Sequence, residues 1–344
     1  MKKLLLLIII SVMALTLSGC VKIKKTTPIS TDGGIYKSVD AGENWHQKVF
    51  ISRTKEGVRT IGDLSTYYMQ FDASDNNTIY LTTQGNGIYK TIDAAETWSA
   101  TSLSSGTYPS IVYDPTDAEI VYVAKGRTII KSTDGMNTWD TIYVEQRANQ
   151  TINSLAIDPI NTNKIYAVTQ TSLLQSSDFG NTWKVLKWLE NNKYKLYISN
   201  KDSNILYLVT KSNGLMKSVD SGLNWHSLNK DISKPASAKK INFLYFNPAG
   251  DLMLIATGAG IYKSTNGGEN WTAINTITKG LAPATAIINP QNQNEIYYTI
   301  KNILYKSVDG GTTWKTLNTI PTSRIINFLL IDHQNPSTLY LGTA

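Results

Sequence analysis

Residues 176–183 read Ser-Ser-Asp-Phe-Gly-Asn-Thr-Trp, a frame of the form S-x-D-x-G-x-T-W. The frame returns at Ser38 (SVDAGENW), Thr91 (TIDAAETW), Ser132 (STDGMNTW), Ser218 (SVDSGLNW), Ser264 (STNGGENW) and Ser307 (SVDGGTTW). Successive starts lie 53, 41, 44, 42, 46 and 43 residues apart. A period in this range marks a repeat architecture. The residue types explain the stretch locally. An apolar run such as Gly260-Ile261-Tyr262-Lys263 precedes each copy, and a Trp-led run follows. Short Ser and Asp side chains bond nearby backbone amides and close a turn. Gly at the fifth position supplies the positive φ such a turn needs. Ala95 and Met136 stand where that Gly is expected, and Asn266 where the Asp is. Those turns are expected to be strained or closed differently.

The frame resembles the Asp-box, or BNR repeat, a β-hairpin turn of β-propellers. On that reading Asp40, Asp93, Asp134, Asp178, Asp220, Asn266 and Asp309 are structural hairpin locks. Trp45, Trp98, Trp139, Trp183, Trp225, Trp271 and Trp314 are their apolar anchors. Each Trp is able to bury about 150–250 Å². No catalytic or calcium-binding role is expected of these positions.

The residues between the boxes read as strands throughout. In the clearest unit, residues 152–158 make a first strand, 164–169 a second, 172–177 a third and 182–186 a fourth. The turn between first and second strands also repeats, at Asp114-Pro115, Asp158-Pro159, Asn247-Pro248 and Asn289-Pro290. An Ile/Leu-Tyr pair recurs on the second strands, as at Ile79-Tyr80, Ile165-Tyr166 and Leu339-Tyr340. Four antiparallel strands in about 40–45 residues match one propeller blade. The N-terminal end supplies only a third and fourth strand, around Ser38, and residues 325–343 supply only a first and second. Joined, they complete one blade and remove two exposed sheet edges. The expected fold is therefore all-β, a seven-bladed β-propeller over residues 34–344.

Before it, Lys2-Lys3 and the apolar run 4–17 form a secretion signal too short to span a bilayer, which takes about 20 residues. The run ends Leu17-Ser18-Gly19-Cys20 and resembles the lipobox of bacterial lipoproteins. Residues 1–19 are then a lipoprotein leader, Cys20 the lipidated residue, and 20–33 a Lys-bearing linker. Cys20 is the one cysteine in the sequence, so no disulfide or cysteine metal site forms within one chain. No metal or cofactor is expected, and the three histidines receive no role. The expected location is the extracytoplasmic side of a cell membrane, by lipid anchor, which argues against nucleic acid as a partner.

Alternation of the strands puts the Asp-box turns on the same face as the first-to-second turns. The links between blades lie on the opposite face, where propeller sites usually sit. Formal charge is +7, or +5 once Lys2 and Lys3 are removed with the leader. The links hold much of it: four of the five arginines, Arg53, Arg59, Arg147 and Arg324, fall there. Lys55, Lys187, Lys193, Lys239 and Lys240 join them, beside Trp188 and Tyr194. This basic face is the expected binding surface, for a membrane or envelope protein with an acidic segment or for an anionic lipid surface. Tyr108, Trp188 and Tyr194 are open to two roles, stacking on sugar rings or packing between blades.

A lipobox followed by one Asp-box propeller resembles the photosystem II assembly and stability factors and their non-photosynthetic bacterial relatives. The resemblance rests on G-[IL]-Y-K-S-x-D-x-G-x-x-W and D-P-x-[ND]-x-x-x-I-Y. It implies a non-enzymatic, monomeric scaffold that binds a newly made membrane protein. The repeats also resemble sialidases, xyloglucan-active glycoside hydrolases and sortilin-type receptors, so a glycan-active or sugar-binding propeller is the alternative. An enzyme of that kind needs a carboxylate pair about 5–10 Å apart. Glu56, Asp63, Glu145, Glu190 and Asp231 are the candidates on the link face.

Overall fold

The third blade shows how the repeat folds. Its strands run Ser154–Ile157, Ile165–Val168, Ser172–Ser176 and Lys184–Trp188. The second and third are buried along their whole length and are rich in β-branched and aliphatic residues. Antiparallel register sets Ile157 opposite Ile165, and Ile165 opposite Ser176. The outer strand starts two residues later than the sequence implies, because Asn181, Thr182 and Trp183 belong to the turn.

In the structure, a computed structural model, the described residues are 32–344 except 73, 74, 191–193, 211, 212, 248, 249 and 279. They form seven four-stranded antiparallel sheets and one two-stranded hairpin. Six sheets are sequential. The seventh joins Ile35–Ser38 and His46–Gln47 to Ile326–Ile331 and Leu339–Thr343. Ile35 pairs with Gly342 and Ser38 with Leu339, so the ring closes where the half-blades at the two ends require. Thr343 fixes the seam. Its Oγ1 accepts the Gly34 amide at 2.9 Å, and its carbonyl accepts the Thr66 hydroxyl of the first blade at 2.8 Å. The apolar core lies between blades. Tyr80 and Ile88 of the first blade pack with Ile111, Tyr113 and Val121 of the second, and each adjacent pair forms a similar cluster.

Every Asp-box closes in one way. In the box at Ser176, the Gly180 amide donates to Ser176 Oγ at 2.9 Å and Ser176 Oγ donates to Asp178 Oδ1 at 2.7 Å. Asp178 then accepts the Thr182 amide at 2.8 Å and the Thr182 hydroxyl at 2.6 Å. The expectation that Ala95, Met136 and Asn266 would close their turns differently does not hold. Ala95 and Met136 adopt φ +72° and +75° and keep the amide bond to Thr91 and Ser132. Asn266 Oδ1 accepts the Asn270 amide at 3.0 Å, as an Asp would. The turns at Ala95 and Met136 do carry the expected backbone strain, since non-Gly residues at positive φ are disfavoured, whereas the Asn266 turn keeps glycines at both positive-φ positions. The fourth position shares it: Ala41, Ala94, Phe179 and Ser221 all sit near φ +60°.

That fourth residue joins one blade to the next. Its left-handed conformation turns its carbonyl towards the preceding blade. Tyr122 Oη donates to the Phe179 carbonyl at 3.2 Å, Tyr207 to Gly267 at 3.1 Å, Tyr297 to Ala41 at 3.2 Å and Tyr340 to Ala94 at 3.4 Å. The lysine before the box reaches the same atoms. Lys37 Nζ donates to Ala94, Lys131 to Phe179 and Lys306 to Ala41. These ammoniums also lie over tyrosine rings, Lys37 at 5.5 Å from Tyr340 and Lys306 at 5.4 Å from Tyr297. The recurrent I-Y and Y-K pairs are thus the two halves of an inter-blade clasp.

Candidate functional site

The link face begins with an element that composition alone leaves as a long loop. Phe50–Thr54 and Gly57–Thr60 pair as a hairpin, with Thr54 opposite Gly57. The first arm, Phe50-Ile51-Ser52-Arg53-Thr54, does not alternate apolar and polar residues, and the Lys55-Glu56 turn sits among charges, so the hairpin reads as link in the sequence. The apolar side, Val49 and Ile51, packs with Ile61 against the first blade. Trp98 pins the base: its amide donates to the Phe50 carbonyl at 2.8 Å and its Nε1 to Lys48 at 2.9 Å. What remains outside is Arg53, Lys55 and Arg59, all exposed. None of the three makes an ion pair among the described residues.

Arg147 is placed differently. Its Nε and Nη2 donate to the two carboxylate oxygens of Glu145 at 2.9 and 2.7 Å. Nη1 reaches Thr171 Oγ1 at 3.1 Å, and Nη2 also reaches Ser172 Oγ at 2.8 Å, both on the third blade. The guanidinium lies 4.8 Å from the Trp188 ring centroid. Glu145 is 2% exposed, and the hydrogen bonds from Arg147 hold its carboxyl below the usual range despite burial. That direction is opposite to what a general acid requires. Arg147 therefore joins two blades and is no free binding cation. Trp188, 64% exposed, keeps the ring face away from Arg147 open to solvent.

Arg324 is also engaged. Its Nη2 lies 3.7 Å from Asp63 Oδ1. Beside it Asp32 accepts the Ser323 amide at 3.1 Å, and the Ser323 hydroxyl also donates to it. These hydrogen bonds, the hydroxyl's first, lower the Asp32 pKa. The described chain thus starts on the link face, tied to the link before the closing blade. Tyr194 is 5% exposed, with its hydroxyl on the Glu190 carbonyl at 3.0 Å, so its ring packs between strands and is withdrawn from ligand contact. Tyr108 packs likewise, its hydroxyl on the Ser105 carbonyl at 2.8 Å. Lys187 is half-buried on an outer strand. Lys239 ends the short 3-10 helix Ala236–Lys239, and Lys240 follows it exposed. Lys193 and Cys20 lie outside the described residues. Of the carboxylates, Asp231 accepts the Trp271 amide at 2.8 Å. Asp63, Glu145 and Asp231 therefore each hold a structural partner. The stacked Arg147–Trp188 pair and the hairpin were missed by sequence reasoning, since one depends on contacts between blades and the other on a turn read as link.

The family model described as photosynthesis system II assembly factor YCF48 matches residues 132–298. No curated protein matches the sequence. Among solved structures, YCF48 from Cyanidioschyzon merolae superposes with a TM-score of 0.62 at 14% identity, covering 81% of this chain and 96% of that one. YCF48 bound to a D1 peptide gives 0.63 at 15% identity, covering 87% and 98%. The GH74 xyloglucanase from Xanthomonas campestris gives 0.62 at 16% identity, covering 90% of this chain and 52% of its own. The chain thus spans about half the length of the GH74 enzymes it matches. With seven Asp-box blades closed end to end, the chain is a BNR β-propeller, similar across its central repeats to the photosystem II assembly factors.

Proposed function

We propose that the protein is a non-enzymatic scaffold, lipid-anchored on the extracytoplasmic side of a membrane, that binds an acidic segment of a membrane or envelope protein through its link face. In this reading residues 1–19 are the leader, Cys20 carries the lipid and 20–33 tether the propeller. The observation that carries it is the β-hairpin bearing Arg53, Lys55 and Arg59, rigid at its base and exposed at its charges. The described chain enters on the same face, which supports a tether that turns the hairpin towards the bilayer. A like-folded YCF48 is recorded with a D1 peptide, which supports a protein partner.

The test is a pull-down from detergent-solubilised membranes with the wild type and with Arg53→Glu/Lys55→Glu/Arg59→Glu. Arg147 and Arg324 are left in place because they hold blades and the chain entry. The expected outcome is one integral membrane protein recovered by the wild type and lost by a variant of unchanged Tm. Equal recovery by both, or none by either, overturns the reading. Separately, Cys20→Ser is expected to move the protein from the membrane to the soluble fraction, and retention in the membrane argues against the anchor.

A further inference from the structure

The outer strands of five blades hold two or three residues, but those of the second and third, Asp140–Val144 and Lys184–Trp188, hold five each. A groove of about 480 Å³ lies between these two on the rim of the propeller. That volume is within the range of small-molecule sites, about 300–1,000 Å³. Both strands carry a one-residue bulge. Ile129 stands opposite Tyr143 and Ile130 opposite Thr141, which leaves Ile142 extra. Leu173 stands opposite Lys187 and Leu174 opposite Val185, which leaves Leu186 extra. Trp183 and Trp188 are five residues apart, so plain alternation would send them to opposite faces of the sheet. The bulge returns Trp188 to the side of Trp183 and Val185, where Arg147 meets its ring. Ile142 and Tyr143 form the other wall.

The groove is open to a ligand. Trp188 offers one ring face to solvent, and Val144 and Val185 are exposed. Tyr143 and Trp183 are half-buried, with ring centroids 5.5 Å apart and planes tilted by 49°, so they form an aromatic corner. The charges of the lining cancel, because Glu145 and Arg147 are bonded to each other. Arg147 is further held by Thr171 and Ser172. The other donors are engaged as well. Trp183 Nε1 donates to the Gly180 carbonyl at 2.9 Å and Tyr143 Oη to Glu145 Oε2 at 3.3 Å. Gln146 Nε2 donates to the Val144 carbonyl at 3.2 Å and Asn181 Nδ2 to the Asp178 carbonyl at 2.7 Å. Both amide side chains are exposed, and their oxygens face no donor among the described residues. A fitting ligand is therefore neutral, brings hydroxyl donors and has apolar faces to lie on rings. A pyranose chain has all three properties. An acidic peptide would meet no net positive charge, and a proline-rich one would leave both amide oxygens unmet, since proline has no N–H.

We propose that this rim groove binds a neutral oligosaccharide, with pyranose faces stacked on Trp188 and Trp183 and hydroxyls donated to Gln146 Oε1 and Asn181 Oδ1. At about 3.3 Å per strand residue the two tryptophans stand about 15 Å apart, so the site takes several sugar units. Arg147 is a positioning residue, which holds Trp188 against the second blade. The site is separate from the basic hairpin and goes beyond the scaffold reading.

The experiment is calorimetric titration of the full-length chain, in a detergent without a sugar head group. The probes are cellohexaose, maltohexaose and the hexamer of N-acetylglucosamine, with decaproline and decaglutamate alongside. The expected result is saturable single-site binding of at least one hexasaccharide and weaker binding of both peptides. Trp188→Ala should weaken that hexasaccharide about tenfold, by loss of a stacking face, and Trp188→Tyr should restore part of it. Asn181→Leu should weaken it about fivefold, by loss of one hydrogen bond. Both changes should leave Tm unchanged, since Trp188 is exposed and Leu223 already fills the position of Asn181 in the next box. No saturable binding of any hexasaccharide, tighter binding of either peptide, or affinity unaltered in Trp188→Ala or in Asn181→Leu overturns the proposal. Arg53→Glu should leave sugar binding unchanged, and Trp188→Ala should leave membrane-protein recovery unchanged, so failure here is distinct from failure of the scaffold reading.

Discussion

A single carboxylate in six of the seven Asp-boxes holds two groups of the residue four positions on, and this gives the protein an acid limit. Hydrogen bonds from the Thr138, Thr182 and Thr313 side chains lower Asp134, Asp178 and Asp309 to about 2, and those from Asn44 and Asn224 do the same for Asp40 and Asp220. The folded pKa lies below the ordinary value of 3.8, so the unfolded chain binds protons first as pH falls. The contribution is complete above about pH 4 and is lost as pH falls to about 2. Tm measured from pH 6 downwards is therefore expected to hold and then drop through that window. Asp178→Asn should make the drop shallower by one group's share, because an amide keeps the acceptor, as Asn266 already does. An unchanged acid slope in that variant would show that the carboxylate does not titrate with folding. Backbone strain gives a second residue-scale test. Gly135 sits at φ +67° with nothing within 4 Å of an added Cβ, so Gly135→Ala should cost only the left-handed penalty, about 1–2 kcal/mol by denaturant unfolding. The box motif was legible as a turn, but the strain at its fourth position was not, since Ala41, Phe179 and Ser221 are ordinary residues there.

At the scale of the element, the box tryptophans share a sequence position and differ in partner. Trp45, Trp183 and Trp225 donate to the fifth residue of their own box. Trp98 and Trp314 reach the preceding link at Lys48 and Asn275. Trp271 Nε1 is buried without a partner. Phe substitution removes the N–H in each case, so Trp98→Phe should cost about 1–2 kcal/mol more than Trp271→Phe in chemical denaturation. Equal losses would mean that ring volume alone matters. Seven identical letters thus perform different tasks, and only the packing of neighbouring blades distinguishes them. The same holds for Lys37, Lys131 and Lys306, whose charges are spent on carbonyls and tyrosine rings inside the ring of blades. A count of basic residues overstates what the surface offers a partner.

At the scale of the whole molecule, stability depends on one seam. A Cβ added at Gly342 would lie 2.1 Å from Phe328 Cζ and 2.6 Å from Thr66 Oγ1. Gly342→Val is therefore expected to destabilise the protein by about 3 kcal/mol, the upper part of the overpacking range. Removal of residues 339–344 should do more, leaving Ile35–Ser38 without its partner and two sheet edges open, with aggregation and loss of a single thermal transition. A truncated chain that still melts sharply at the wild-type Tm would refute the dependence on closure.

The blade number, the order of strands and the closing blade are readable from the amino acids alone, because they follow from local turn chemistry repeated at a steady period. It also located the hairpin locks, where the side chains that close each turn lie within four residues of one another. Which of the link-face charges stay available depends on the folded arrangement. Arg147 and Arg324 read like Arg53 and Arg59, but Arg147 is held by Glu145 two residues away and by Thr171 and Ser172 of the third blade, and Arg324 meets Asp63 from a distant part of the chain, while Arg53 and Arg59 make no ion pair among the described residues. Interactions within a turn are fixed by adjacency along the chain, whereas the contacts of Arg147 with Thr171 and Ser172 and of Arg324 with Asp63 are fixed by which blades stand side by side.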